Sequence, residues 1–312
     1  MRKYVTLEKI LWYYYVVSIG FYFILFGIES MEYTFIDQEL KKRLRVFYEG
    51  GRKLAVLTGA GLSADSGIPT FRDVDGFWTV GSENYAPEEM GTYRMFCAKP
   101  LEVWKWYLYR KGICSKASPN KGHHAIRQLE ELFGDRFRLI SQNVDGLHLA
   151  AGNSVARTYL IHGTLERCRC GKECSQTLFP FPDFTLEKGE ELTEEQAEKL
   201  KCPKCNAFTR PHVLWLDEFY DEEHYRRDSA LRVSSETGLL LIVGTSGATT
   251  LPQLVVQNTM NKKGIVIDIN KQTNHFSMLV GESTNGFALR GSSSEILPEF
   301  VACFSEFAES AR

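Results

Sequence analysis

The sequence predicts an α/β fold: a Rossmann-like parallel sheet with one small module inserted into it. Three observations carry this. Strand-like apolar runs alternate with helical patterns from about residue 31 onward. Each apolar run ends in a polar or glycine-bearing loop. Residues 168–210 then interrupt the alternation with five of the eight cysteines, the FPFP string and a charged helix-like run before Cys202-Pro203-Lys204-Cys205.

Taken in order, residues 10–28 (ILWYYYVVSIGFYFILFGI) hold no charge. That is long enough to span a bilayer as a helix, with Trp12 to Tyr15 placed to sit at an interface. Basic residues on both sides leave its orientation open, and no small-residue cleavage site follows. Two readings stand: a membrane anchor, or a start codon assigned upstream of Met31. Residues 1–30 are therefore set apart from a catalytic domain of residues 31–312. Met31 opens an amphipathic helical stretch leading into a strand. Strands are expected at Leu54 to Thr58, Arg138 to Ser141, Leu239 to Val243 and Ile265 to Ile269, and helices at His124 to Phe133 and Asp221 to Ser234. The loops after the four strands (TGAGLSADSG, SQNVDG, GTSGATT and DIN) would share one crevice, because open parallel sheets bind ligands at strand carboxyl ends.

Composition excludes other classes. Lys plus Arg number 37 against 39 Asp plus Glu, a net charge of −2, so no basic footprint argues for nucleic acid. A chain of 312 residues needs no disulfide staples. The cysteine spacing suits a reducing compartment. Cys202 and Cys205 form a C-x2-C knuckle, and an earlier pair would complete a tetrahedral four-thiolate zinc site.

The first loop follows its strand directly with Gly59-Ala60-Gly61, where glycines admit a pyrophosphate to the backbone. The third small position is Ala64, and no clean acidic ribose ligand follows about twenty residues on, which disfavours a dehydrogenase. GAGLSADSGIPTFR (residues 59–72), Gly76-Phe77-Trp78, Gln142-Asn143-Val144-Asp145, Ile161-His162-Gly163 and the cysteine-rich insert occur in that order. Together they resemble the sirtuin (Sir2) family of NAD-dependent protein lysine deacylases, over about Leu54 to Pro298.

The resemblance implies an NAD site at Gly59, Ala60, Gly61, Ser63, Asp65, Ile68, Phe71, Arg72 and Trp78. Gln142, Asn143 and Asp145 would line its nicotinamide end; Gly244, Thr245, Ser246, Asn270, Gly291 and Ser292 would hold the adenosine half. It makes His162 the general base, a task suited to imidazole, whose unperturbed pKa is ~6.5. In the implied reaction the acyl oxygen attacks the nicotinamide ribose and nicotinamide leaves. His162 then takes a ribose hydroxyl proton, so that O-acyl-ADP-ribose forms and NAD is consumed. The implied zinc ligands are Cys170, Cys174, Cys202 and Cys205; the first pair is spaced C-x3-C, and Cys168 is the alternative member. Val213 and Trp215 would meet an acyl-lysine peptide added as a strand. Leu216 and Asp217 stand where the family commonly has Phe and Gly, so that seat is expected to differ in detail.

Tyr107-Leu108-Tyr109-Arg110 matches the Y-x-x-R motif of class III sirtuins, with Gly91-Thr92 at that class's Ala-Thr pair. A hydroxyl and a guanidinium fork suit a succinyl or malonyl carboxylate. His123 and His124 are read as capping or surface residues, and His148 as a possible pocket residue. Implied partners are acyl-lysine proteins, and a membrane only if residues 10–28 are a true anchor. The NAD supply and reduced thiols place the catalytic domain in the cytoplasm. Two rival readings remain: a mono-ADP-ribosyltransferase on the same scaffold, and a module that binds NAD or ADP-ribose without turnover.

Overall fold

The computed structural model describes residues 34–70 and 86–310, and Ile36–Arg312 forms one compact unit. The 1–30 segment, with its uncharged run, and Phe71, Arg72 and Trp78 lie outside the described residues.

Helix α1 (Gln38–Glu49) starts at Asp37, whose carboxylate accepts from the Leu40 amide, and it buries Leu40, Leu44 and Phe47 at i, i+4 and i+7. Strand β1 (Lys53–Thr58) follows. After three helices, α2 (Pro87–Met90), α3 (Tyr93–Ala98) and α4 (Pro100–Lys116), the chain returns through α5 (Lys121–Phe133) to β2 (Phe137–Ser141). The short α6 (Leu147–Ala150) and β3 (Thr158–Leu160) close this half. The other half contributes β7 (Thr237–Val243), β8 (Ile265–Asn270) and β9 (Gly286–Arg290).

All six strands pair in parallel, in the order β3-β2-β1-β7-β8-β9. Counted within this sheet alone, that is the doubly wound order 3-2-1-4-5-6, which reverses direction between β1 and β7. The four predicted strands are all present, each extended by a residue or two; β3 and β9, short strands at the sheet edges, were not anticipated. Every residue of β7 is buried, and β1 is buried from Leu54 onward, as a sheet covered on both faces requires.

A second, antiparallel sheet has the order β5-β4-β6, from β4 (Gly163–Cys170), β5 (Phe179–Pro180) and β6 (Thr209–Val213). It shares an aromatic core with α3 and α4 that includes Phe96, Trp104, Tyr107, Leu165, Phe181 and Trp215. The Trp104 indole donates to the Thr209 carbonyl at 2.6 Å, fixing α4 to β6.

Two expected helices are shorter than their patterns suggest. In the charged run, only α7 (Glu194–Lys199) is helical, begun by a Thr193/Gln196 capping box, and Gly189 takes φ +79° upstream. The stretch expected as one helix from Asp221 to Ser234 is two, α8 (Glu222–Tyr225) and α9 (Arg227–Glu236), parted by Arg226 at φ +54°. Asp221 caps the first, and Glu222 accepts from both the amide and the hydroxyl of Ser229 in the second. Two competing caps stabilise the break. Helices α10 (Thr250–Asn261), α11 (His275–Gly281) and α12 (Ser293–Ser310) complete the unit. Among the described residues, no helix is long and apolar enough to cross a membrane.

Candidate active site

The loops after β1, β2, β7 and β8 meet where the sheet order reverses. Gly59 donates to the Val243 carbonyl at 2.9 Å and Gly61 to the Gly244 carbonyl at 2.8 Å. A Cβ on Gly61 would lie 2.8 Å from the Gly244 oxygen, and Gly244 itself has φ +60°. The glycines are thus needed first for one loop to lie against another. The chain then runs through two 3₁₀ turns, Ala60–Leu62 and Ala64–Ser66, so the motif opens no α-helix here. A helix N-terminus is therefore not what Gly59 and Gly61 present.

Side chains tie these loops together. Gln142 donates to the Thr245 hydroxyl at 2.9 Å, and Thr249 donates to the Gln142 carboxamide oxygen at 3.2 Å. Asn143 donates to Ser63 at 3.1 Å, and Ser63 in turn donates to Asp145 at 2.7 Å. Burial raises the Asp145 carboxyl above its usual range, against the hydrogen bonds from Ser63 and the Leu147 amide. Asn270 donates to the Thr245 carbonyl at 3.1 Å, and Gly291 to the Asn270 carbonyl at 3.3 Å. Ser246 is exposed, Ile68 is buried in the core that holds Phe96 and Trp104, and Ser292 caps its own helix turn through Glu295. Asp65 is ion-paired to Lys271 at 2.9 Å; burial raises its carboxyl, but hydrogen bonds from Lys271 and Ser294 outweigh that and hold it low.

His162 lies between the last residue of β3 and the first of β4, at the junction of the two sheets. Its carbonyl accepts from the Leu214 amide at 3.0 Å, and its Nε2 lies 2.8 Å from the Tyr220 hydroxyl. Burial pushes the imidazole down to about 4, only partly offset by a hydrogen bond with the Gln142 backbone, so it is neutral near pH 7.

Beyond Leu214, the Trp215 indole donates to the Tyr107 hydroxyl at 2.8 Å. Arg110, one helical turn along on α4, is buried with its guanidinium 4.5 Å from the Trp106 ring and 5.5 Å from the Tyr107 ring. Burial raises the Tyr107 phenol and lowers the Arg110 guanidinium. Val213 is buried at the end of β6, and Gly91 accepts from the Leu216 amide at 2.9 Å. Asp217 accepts from the Tyr93 and Arg94 amides at 2.6 and 3.1 Å, so its carboxylate caps α3 from 123 residues away. That cap accounts for the carboxylate at the position where the sequence departs from the sirtuin pattern.

The thiols of Cys170, Cys174, Cys202 and Cys205 lie within 4.8 Å of one another. Cys170 and Cys205 are 3.5 Å apart, and Cys174 and Cys202 are 3.7 Å apart. Tetrahedral Zn–S bonds of ~2.3 Å would set sulfurs roughly 3.8 Å apart, so the four fit a zinc ion. Cys168 is turned away and donates to the Pro180 carbonyl at 3.3 Å, which decides the alternative left open by the sequence.

The Sir2 family model matches residues 59–250. The NAD-dependent protein deacylase of Leptospira interrogans serovar Lai is 36% identical over 253 residues, covering 80% of this chain and 92% of the relative. The NAD-dependent protein deacylase of Thermus thermophilus is 39% identical over 212 residues, 67% of this chain and 74% of the relative. The chain belongs to the Sir2 family. A solved Sir2 homologue in complex with 2'-O-acetyl ADP ribose superposes with TM-score 0.70 at 33% identity, covering 86% of this chain and 97% of the other. A Sir2 homologue–NAD complex gives TM-score 0.68 at 32% identity, covering 88% and 95%.

Within this Sir2 protein, His123 takes the capping role of the two expected and not the surface one: it is fully buried, and its Nδ1 accepts from the Asn120 amide in the capping box of α5. His148 lies beneath the loops, its Nε2 3.0 Å from the Thr58 hydroxyl. Tyr220, on His162, had no motif to point to it, because the two are 58 residues apart.

Proposed function

We propose that this Sir2 protein is an NAD-dependent protein lysine deacylase, removing acetyl groups and the short acidic succinyl and malonyl groups, with nicotinamide and O-acyl-ADP-ribose as products. The observation that carries the reading is the neutral imidazole of His162, placed between the crevice loops and the end of β6. A base for a ribose hydroxyl must be unprotonated at working pH and must face both reactants. His162 meets the first demand through burial and the second through its place between the sheets.

NAD, bound as a consumed substrate, supplies the electrophilic ribose carbon. Around it, the loops bearing Gly59, Gly61 and Gly244 would take the phosphates. Gln142, Asn143 and Asp145 would orient the nicotinamide end, and Asn270 the adenosine ribose. Ala60, Ser63, Asp65, Ile68, Thr245, Ser246, Gly291 and Ser292 would complete the walls. An acyl-lysine peptide would pair beside Val213, with Trp215 against its acyl-lysine. Tyr107 and Arg110, beside Gly91, would receive an acyl carboxylate, since a charge-assisted pair is stronger than a neutral hydrogen bond. Cys170, Cys174, Cys202 and Cys205 would hold one structural zinc remote from the chemistry. The catalytic unit is taken as residues 31–312, with 168–210 as the zinc module, working in the cytoplasm on acyl-lysine proteins.

The test is to incubate the protein with NAD and acetyl-, succinyl- or malonyl-lysine peptides and follow products by mass spectrometry. His162→Ala is expected to lower turnover by about 10²–10⁴-fold. Undiminished turnover in that variant would remove His162 as base. ADP-ribose attached to a protein side chain, without deacylated peptide, would establish the transferase reading instead.

A further inference from the structure

His162 carries a hydrogen bond on the nitrogen it needs for catalysis. The Tyr220 hydroxyl lies 2.8 Å from Nε2, with the two rings tilted at 34° and 5.8 Å apart. In the tautomer with its proton on Nδ1, Nε2 keeps the lone pair and Tyr220 donates to it. A lone pair on an imidazole nitrogen accepts one good hydrogen bond, so a ribose hydroxyl and the tyrosine cannot both hold it.

Tyr220 sits on a short arch between two anchored residues. On one side, Glu218 accepts from Arg210 and from the Trp215 amide. On the other, Asp221 caps α8. Between them Phe219 is 91% exposed and Tyr220 half-buried. The phenol packs on the sheet core beside Thr249, whose hydroxyl donates to Gln142 and leaves its oxygen free to accept. The hydroxyl thus has a second polar partner beside the same loops if it leaves the imidazole. Among the described residues, Tyr220 is the titratable side chain hydrogen-bonded to His162.

We infer that Tyr220 is a displaceable gate on the general base: it masks Nε2 of His162 in the free enzyme and yields that nitrogen to the ribose hydroxyl when NAD binds. Tyr220 is a positioning residue, acting through His162, and the inference rests on the deacylase reading above. Each productive binding event must break the Tyr220–His162 bond, so the gate weakens NAD capture and leaves the chemical step alone.

Tyr220→Phe keeps the ring and deletes the hydroxyl; Tyr220→Leu repeats the deletion with a different shape, so that poor folding of one variant does not decide the outcome. A hydrogen bond of ordinary net strength predicts that kcat/KM for NAD rises roughly three- to tenfold, through a lower KM. Losing a donor to the lone pair destabilises the neutral ring. The His162 titration seen by NMR in the NAD-free enzyme, and with it the acid limb of kcat/KM, should move to higher pH, while the acid limb of kcat stays. A fall in kcat at unchanged KM would overturn the gate, because the hydroxyl would then assist the transition state. An unmoved imidazole titration would overturn it too. His162→Ala separates the two readings: full activity there sinks the deacylase mechanism, whereas an inactive His162→Ala beside wild-type-like Tyr220 variants sinks the gate alone.

Discussion

Two hydrophobic clusters among the described residues are built from different materials. One cluster on the parallel sheet is largely aliphatic, with Ala55, Leu57, Ile140, Leu240, Ile242, Val255 and Val266 among its members. The core under the antiparallel sheet is aromatic, and buried charge threads it. Arg210 is fully buried, stacked 3.5 Å from the Trp215 ring and paired with Glu218; Arg169 is buried beside the same carboxylate. The first core is chiefly apolar packing, whereas the second also carries several polar closures between distant residues: four thiols, Arg210 with Glu218, Trp215 with Tyr107, and Asp217 on α3. His162 is where the two meet. The loops after the parallel strands draw on both cores, since Ile68 and Val144 pack into the aromatic one.

The strongest way to break this contrast is to remove the metal. Structural zinc is worth on the order of 10 kcal/mol in small domains, so Cys202→Ser or chelation should unfold the second core selectively. Hydrogen exchange should then show β4 and β6 amides exposed while β7 and β8 stay protected, with peptide turnover abolished. Simultaneous loss of both sets would mean that the cores are one cooperative unit.

A smaller effect is expected within the second core. Arg110→Met keeps the buried stem and deletes the charge, and should reduce desuccinylation and demalonylation by roughly 10–100-fold, as for a lost charge-assisted hydrogen bond. Deacetylation should fall much less. Equal losses on both substrate types, in steady-state kinetics, would show that Arg110 merely supports the fold.

Acid should act on both halves, and most gently. Burial lowers His123, His162 and His212 to about 4, and His148 well below its usual value. The unfolded chain then binds more protons than the folded one between about pH 6.5 and 4, so stability is full above that window and declines as pH falls through it. Asp145 and Asp268, whose carboxyls burial raises, oppose the trend. Thermal melting followed from pH 7 to 5 should show a drop of several degrees; a flat profile would contradict the buried neutral imidazoles.

The elements that were legible in the sequence are those with local signatures. The strands at residues 53–58, 137–141, 237–243 and 265–270 announce themselves as short apolar runs closed by glycine or polar loops, and α5 by its period. The capping role expected of His123 is realised at the start of α5, where the box closes on His123 rather than on Glu or Gln. The break at Arg226 was not legible, since Glu222 captures Ser229 seven residues ahead, beyond any single helical turn. Nor did the composition shift at residue 168 reveal that α4, fifty residues earlier, packs on the cysteine module.

By itself, then, the sequence determined the parallel sheet, the carboxyl-end loops and the kinds of residue they carry, because burial periodicity and turn chemistry act over a few residues. Only the tertiary structure decided which thiols converge, that Cys168 turns away to Pro180, that Gly61 must be small to clear Gly244, and that Tyr220 rests on His162. Those outcomes depend on distances between residues far apart in the chain, which packing of the two cores sets and no local pattern encodes.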